Sequence, residues 1–395
     1  MKEVQNKKRI MLIVPMLHQG GFERICALTA KLLNEVCEVH LVIFSSEDMI
    51  YDVSGIHVID LQLGAVPGKI GKIKNVIKRI QRLKKLKKEL KIQISYSFGT
   101  TANLANVLSK TNDVTWAGIR GYGALEEHMD LIARKADRVV SCTKVMEEDI
   151  KTGFAVRKSA TLYNPCNLRE IEELKNKPVD SRLEGFLQKP GKLVVSMGRE
   201  DDIKGFWHLI KSIYLLRKRL PDVKLMIIGA GEYQEYKQLA KELGMEEDVL
   251  FTGVHKNPFP LLAKADVYAL TSDTEGFPNA LIEAMACGVP CVSVNCKTGP
   301  AEILHADYKK CAKQDVLYHG DYGILTPVLK GEKNLQTDCF TKEEEIFAGE
   351  MERLLTDTQM WEAYHEKVQK RAEDFGMEAY VSQIMQLIEA DCAKE

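Results

Sequence analysis

Residues 266–303 read DVYALTSDTEGFPNALIEAMACGVPCVSVNCKTGPAEI, and the order of patterns inside this stretch decides the fold. DVYALT is the short apolar run of a buried strand, NALIEAMA has helical spacing, and VPCVSV is the next strand. A strand, a turn, a helix and a second strand make the repeating unit of a parallel sheet. Glu275 then stands at the carboxyl end of a parallel strand, where open α/β sheets bind ligands. Glu283 lies eight positions on, on the helix that the Gly276-containing turn opens. Carboxylates accept from sugar hydroxyls, and the free N–H groups of a helix start attract an anion. The pair therefore suits a polyhydroxylated, phosphate-bearing ligand.

Working outward, the same alternation covers the chain. RIMLIVPML, EVHLVIF, HVIDL, IQISYSF, VTWAGI and RVVSC are strand-like runs separated by helical patterns. A charged stretch, EIEELKNKPVDSRLEG, interrupts them, and KLVVSMG, VKLMIIG, VLFTG, DVYALT and VPCVSV restart the series. Two rounds predict an α/β protein of two Rossmann-like, doubly wound parallel-sheet domains facing across a cleft. The expected boundaries are residues 1–165 and 190–375, with a linker near 165–190. A last helix within 376–395 is expected to pack back on the first domain.

The 395 residues suffice for two ordinary domains, and 45% hydrophobic content can fill two cores. A net charge of −1 gives no global field for nucleic acid. Ten scattered cysteines and a start, MKEVQNKKRI, without an apolar signal region point to the cytoplasm. Cys287, Cys291 and Cys296 lack zinc-site spacing and read as small buried hydrophobes. No apolar run reaches the roughly 18 residues of a membrane span, so membrane association would be peripheral.

A second constellation carries cations. Gly198 and Arg199 end the strand KLVVSM, and Asp201-Asp202-Ile203-Lys204-Gly205 leads into the next helix. Either cation alone would read as a solvated surface residue, but Arg199 at a strand's carboxyl end favours an anion site. Fixed cations in such a place stabilise a bound anion or a growing negative charge. In the first half, Gln19-Gly20-Gly21-Phe22-Glu23-Arg24 follows the first strand, and its paired glycines would let backbone approach a ligand.

Together, E-x7-E from Glu275 to Glu283, Gly299-Pro300-Ala301-Glu302-Ile303 and the G-R-x-x-x-x-K-G of residues 198–205 resemble the signature of retaining GT-B glycosyltransferases of the family 4 type (glycosyl transferases group 1). The resemblance spans nearly the whole chain. It implies transfer of a hexose or N-acetylhexosamine from a nucleotide-sugar to a glycan or polyprenyl-linked glycan in cell-surface polysaccharide synthesis. It implies Arg199 and Lys204 on the donor diphosphate, with no metal or other cofactor required. Glu283 would hold the ribose and Glu275 the hexose, and Gly276, Phe277, Asn279 and Ala280 would offer backbone groups. Gly20 and Gly21 would close over the phosphates. Gly229, in Gly229-Ala230-Gly231-Glu232, would lie near the base, and Val254 would wall it. Uridine is the expected base.

One position departs from the family. A histidine commonly follows the fifth strand, and here Trp116-Ala117-Gly118-Ile119-Arg120-Gly121-Tyr122-Gly123 offers Arg120. Arg120 could contact the sugar or an acceptor phosphate but cannot be a general base at neutral pH. His128 reads as a surface residue. The base is unassigned, and the resemblance implies a same-face displacement assisted by the leaving phosphate.

The acceptor side is read from residues 69–91, KIGKIKNVIKRIQRLKKLKKELK. Eleven of them are Lys or Arg, and Glu89 is the one acid. Ile70, Ile73, Val76, Ile77, Ile80, Leu83, Leu86 and Leu90 recur at helical spacing and are expected to face the core. The basic face is expected to meet an anionic membrane surface, on the inner face of the cell membrane, or an acceptor pyrophosphate. No aromatic platform accompanies the charges, which argues against nucleic acid. Two other readings are a nucleotide-sugar epimerase, for which no acid/base constellation is found, and an inactive GT-B-like membrane-binding partner protein.

Overall fold

A computed structural model describes residues 7–18, 20–121 and 128–393; Gln19, Tyr122 and Gly123 of the quoted motifs lie outside the described residues. The chain divides into two units, one formed by Met1–Pro165 with Met377–Glu395 and the other by Cys166–Gly376.

The first unit is built on β1 (Arg9–Val14), β2 (Glu38–Ile43), β3 (His57–Asp60), β4 (Ile94–Phe98), β5 (Val114–Ile119), β6 (Arg138–Ser141) and β7 (Ser159–Thr161). The sheet order is β3-β2-β1-β4-β5-β6-β7, all parallel. The continuous apolar run of β1 follows from burial on both sides. Ile10, Leu12 and Val14 join one core with Leu33, Tyr380 and Ile384, while Met11 and Ile13 join the other with Phe44 and Leu83.

The second unit carries β8 (Leu193–Met197), β9 (Lys224–Ile228), β10 (Val249–Gly253), β11 (Val267–Leu270), β12 (Cys291–Val294), β13 (Tyr318–His319) and β14 (Ile324–Thr326). Its order is β10-β9-β8-β11-β12-β14-β13, with only the edge pair β13 and β14 antiparallel among these strands. Both sheets are doubly wound. The strand order reverses between β1 and β4 in the first, and between β8 and β11 in the second.

One detail differs from the sequence reading. The segment expected as a linker folds as helices Leu168–Leu174 and Ser181–Leu187 and belongs to the second unit. Asn167 and Asp180 start them, their side chains accepting from Glu170 N at 3.2 Å and Arg182 N at 3.0 Å. The charged composition of the stretch reflects short helices exposed over most of their length rather than a tether. The closing helix Met377–Cys392 returns to the first unit, where Tyr380 OH and Thr29 Oγ1 lie 2.7 Å apart and Ile384 and Ile388 are buried.

Candidate functional site

In the second unit, β8 and β11 are hydrogen-bonded neighbours at the reversal of strand order. Gly198 and Arg199 leave the end of one, and the loop bearing Glu275 leaves the end of the other. Two loops are thus delivered side by side to the crevice that this topology creates.

The loops are stitched together. Thr271 Oγ1 donates to the Lys204 carbonyl at 2.9 Å, and Asp273 N to the Ile203 carbonyl at 2.8 Å. Gly205 makes the approach possible: its φ is +60°, and a Cβ there would lie 2.4 Å from the Thr271 carbonyl. The result brings Lys204 Nζ to 2.6 Å from Glu275 Oε1, in a pair largely shielded from solvent. Thr298 Oγ1 donates to the Glu275 carbonyl and fixes that turn from the far side.

Arg199 is more exposed. Its Nη2 and Nε donate to Asp201 Oδ2 at 2.8 Å and 3.2 Å. Asp201 Oδ1 also accepts from Ile203 N at 3.2 Å, capping the 3-10 turn Asp202–Lys204. The Arg199 guanidinium, foremost, holds the Asp201 carboxyl below its ordinary value. Glu283 is buried on the helix Asn279–Ala286. Beneath it, burial first and the Glu275 carboxylate second push the Tyr268 phenol well above its ordinary value, with Glu283 contributing. Phe277 is buried against Phe375, ring centroids 5.5 Å apart, while Gly276, Asn279 and Ala280 are half-buried on the turn.

Gly229 ends β9 against Gly198, whose N donates to the Ile228 carbonyl at 2.9 Å. Gly229 N donates in turn to the Gly253 carbonyl at 3.0 Å, so the ends of β8, β9 and β10 form one shelf. Val254 stands at its outer end, 61% exposed. The structure therefore brings Gly198, Arg199, Lys204, Glu275 and Glu283 together, with Gly229 and Val254 along the shelf. Sequence reasoning missed Asp201, Tyr268 and Thr298. Asp201 alone left a signal, an acid two places after the arginine. Among the described residues, no cluster of three or more His, Cys, Asp or Glu is placed to hold a metal ion.

Gly20, Gly21 and Arg120 belong to the first unit. The Gly20 carbonyl accepts from Tyr51 OH at 2.9 Å, and Gly21 opens the helix Gly21–Val36. Arg120 is committed within its unit: Nη1 donates to the Leu162 carbonyl at 2.9 Å and Asn164 Oδ1 at 3.0 Å, and Nη2 to Tyr96 OH. Its guanidinium lies 5.5 Å from the Phe98 ring centroid. His128 is exposed and directly precedes the helix Met129–Lys135.

The basic helix Lys69–Glu89 corrects the expectation of one inward apolar stripe. Leu83 is buried, and Ile80, Leu86 and Leu90 pack against the core, but Ile70, Ile73 and Ile77 are 72%, 62% and 48% exposed. The inward positions of the first half are polar. Asn75 Nδ2 donates to the Leu63 carbonyl at 3.3 Å, and Arg79 Nε to the same oxygen at 2.9 Å. The basic face is also partly consumed: Lys87 is fully buried, 3.0 Å from Asp113 Oδ2. The carbonyls of Leu63 and Gly64, in the loop between β3 and the helix, take donors from Asn75 and Arg79, so these polar side chains hold the inward positions and the isoleucines face outward.

Residues 181–314, which hold the whole second-unit constellation, match the family of glycosyl transferases group 1. The chain is 30% identical to an uncharacterized glycosyltransferase of Methanocaldococcus jannaschii over 260 residues, 64% of each chain. It is 26% identical, over 93% of its length and 96% of the other's, to the N-acetylgalactosamine-N,N'-diacetylbacillosaminyl-diphospho-undecaprenol 4-alpha-N-acetylgalactosaminyltransferase of Campylobacter jejuni. In fold it is similar to Anabaena HepE in complex with UDP and glucose, with TM-score 0.72, 20% identity, and 97% and 100% of the two chains covered. A glycosyltransferase of Rickettsia africae gives TM-score 0.77 at 14% identity, covering 99% and 100%. The fold is GT-B.

Proposed function

We propose that this chain is a retaining glycosyltransferase of the family 4 type that moves a hexose or N-acetylhexosamine from a UDP-sugar to a glycan or polyprenyl-linked glycan. One observation carries the reading. Lys204 and Glu275, 71 positions apart, meet at 2.6 Å at the reversal of the sheet, inside the stretch that matches glycosyl transferases group 1. A cation for phosphate and an acid for hydroxyls, at one spot, are what a sugar-diphosphate bond requires on its two sides.

In this reading Arg199 and Lys204 take the donor diphosphate by charge-assisted bonds and hold the negative charge that grows as the bond from sugar C1 to phosphate oxygen breaks. Glu283 accepts from the ribose hydroxyls and Glu275 from the transferred sugar. The acceptor oxygen bonds to C1 on the face that the leaving phosphate vacates, and its proton passes to that phosphate oxygen. No side chain is assigned as base. Arg120 fixes Tyr96 and Asn164 within the first unit. The lipid-linked acceptor rests on the likeness to the Campylobacter enzyme and on the basic helix. Uridine rests on neighbours such as HepE with UDP.

We further assign the helix Lys69–Glu89 to an anionic membrane surface on the cytoplasmic side. Ile70, Ile73 and Ile77 face outward among exposed Lys69, Lys72, Lys74 and Lys78, so apolar insertion and phosphate attraction act on one face.

The test is a panel of UDP- and GDP-sugars, with nucleotide release followed with and without lipid-linked acceptors. Acceptor-dependent UDP release is expected, and Lys204→Ala is expected to lower kcat/KM by about a hundredfold or more. Epimerised donor without acceptor, or donor binding without turnover, would replace this reading by an epimerase or an inactive partner protein.

A further inference from the structure

The two cations assigned to the donor diphosphate each carry one of the chain's own carboxylates. Lys204 holds Glu275 at 2.6 Å, and Arg199 holds Asp201 at 2.8 Å. A diphosphate cannot take these cations without exchanging with an anion already on them, and it then lies beside two ionised carboxylates that repel it.

Resting on the donor-site reading above, we propose that Glu275 and Asp201 are built-in competitors of the diphosphate that make the site prefer the intact sugar donor and expel the spent nucleoside diphosphate. The asymmetry lies in what Glu275 gains. With a sugar attached to the diphosphate, the displaced Glu275 carboxylate accepts from sugar hydroxyls, which offsets the lost Lys204 bond. After transfer the sugar leaves with the acceptor, and Glu275 has no hydroxyl to receive. Its return to Lys204 then competes directly with the phosphate.

Asp201 does the same for Arg199 without touching the sugar. It is placed by the turn it caps, since Oδ1 is held by Ile203 N while Oδ2 faces the guanidinium. Because Arg199 is well exposed, that pair is weak and exchanges readily. Lys204–Glu275, tied through Thr271, Asp273 and Thr298, is the stronger of the two latches. Glu275 thus has two roles in one residue, sugar acceptor in the donor complex and phosphate surrogate otherwise. Asp201 is a positioning residue acting through Arg199.

The experiment is titration calorimetry of the full chain and of Glu275→Gln and Asp201→Asn, with UDP, GDP, inorganic pyrophosphate and uridine. Both variants keep side-chain shape, and Asn retains the turn cap. Glu275→Gln is expected to bind UDP and pyrophosphate roughly three- to tenfold more tightly, and Asp201→Asn about two- to fivefold, with uridine unchanged. Asp201→Asn is further expected to strengthen product inhibition by UDP by the same factor. Wild-type binding with unaltered or weakened affinity in both variants overturns the competitor role and leaves the donor-site reading standing. Absence of diphosphate binding in all three proteins overturns both. Should Glu275→Gln fail to fold, Asp201→Asn decides alone, and an equal gain for uridine in either variant would show a general rearrangement and refute the idea.

Discussion

Gly229 sits where two strand ends close on each other, and its side-chain hydrogen is a steric requirement. A Cβ at this residue, whose φ is +153°, would lie 1.9 Å from the Gly198 carbonyl oxygen. Gly229→Ala must therefore pry the end of β9 from that of β8, where Arg199 emerges. The expected cost is about 2 to 3 kcal/mol, a fall of several degrees in the second unit's melting transition by calorimetry. Gly21→Ala is the contrasting case. Nothing lies within 4 Å of a Cβ there, at the first position of a helix, so the melting temperature is expected to hold or rise. Both glycines read alike in the sequence, as backbone kept bare for a ligand. That Arg199 and Glu275 follow strand ends was legible in the residue pattern, whereas Lys204 and Glu283 were picked out by their motif resemblance. The pairing of Lys204 with Glu275 was not legible, because a 71-residue separation is closed only by the register of β8 against β11. Arg120 shows the opposite limit: its place after β5 was legible, but its bonds to Tyr96, Leu162 and Asn164 depend on two other segments, β4 and the chain just after β7.

At the scale of the element, periodicity found the helix Lys69–Glu89 but misplaced half of its face. Eight apolar residues at spacings of three and four fit one stripe on a helical wheel. Which side of that stripe meets protein is decided by the neighbours, here the carbonyls of Leu63 and Gly64 that call Asn75 and Arg79 inward. Two substitutions separate the halves. Leu83→Ala removes a fully buried side chain and is expected to cost about 2 to 4 kcal/mol of stability. Replacing Ile70, Ile73 and Ile77 together by Ser is expected to change stability by no more than about 0.5 kcal/mol per site, because none packs on the core. The same triple variant is expected to lose flotation with vesicles containing anionic lipid. Wild-type flotation should weaken as salt is raised. Flotation that ignores both lipid charge and salt, or that survives in the triple variant, would remove the membrane assignment.

At the scale of the whole molecule, the chain leaves the first unit at Pro165, completes the second, and returns at Met377. The return is fastened by Asp391, which accepts from Trp116 Nε1 at 3.0 Å, Arg138 Nε at 2.8 Å and Lys158 Nζ at 2.6 Å. Burial raises the Asp391 carboxyl, but the bonds from Arg138 and Lys158 outweigh it and hold it below its ordinary value of 3.8. A carboxyl depressed in the folded state stabilises above its unfolded value, and that stabilisation is lost as pH falls through the folded one. Asp391→Asn is therefore expected to cost about 3 kcal/mol at neutral pH, since Arg138 is left buried without a counter-ion. The gap between variant and wild type should narrow below about pH 4 in denaturant titrations followed across pH. Ending the chain at Gly376 removes more. Tyr380, Ile384 and Ile388 leave the first core, and at about 1.5 to 3 kcal/mol for each buried side chain the loss is comparable to the whole stability of an ordinary domain. Calorimetry of that truncation should show the first unit's transition gone. The second unit's core cluster from Val194 to Tyr364 includes no residue of the closing helix, so its own transition should remain. If both transitions persisted, the closing helix would be an ornament on the first unit rather than part of its core.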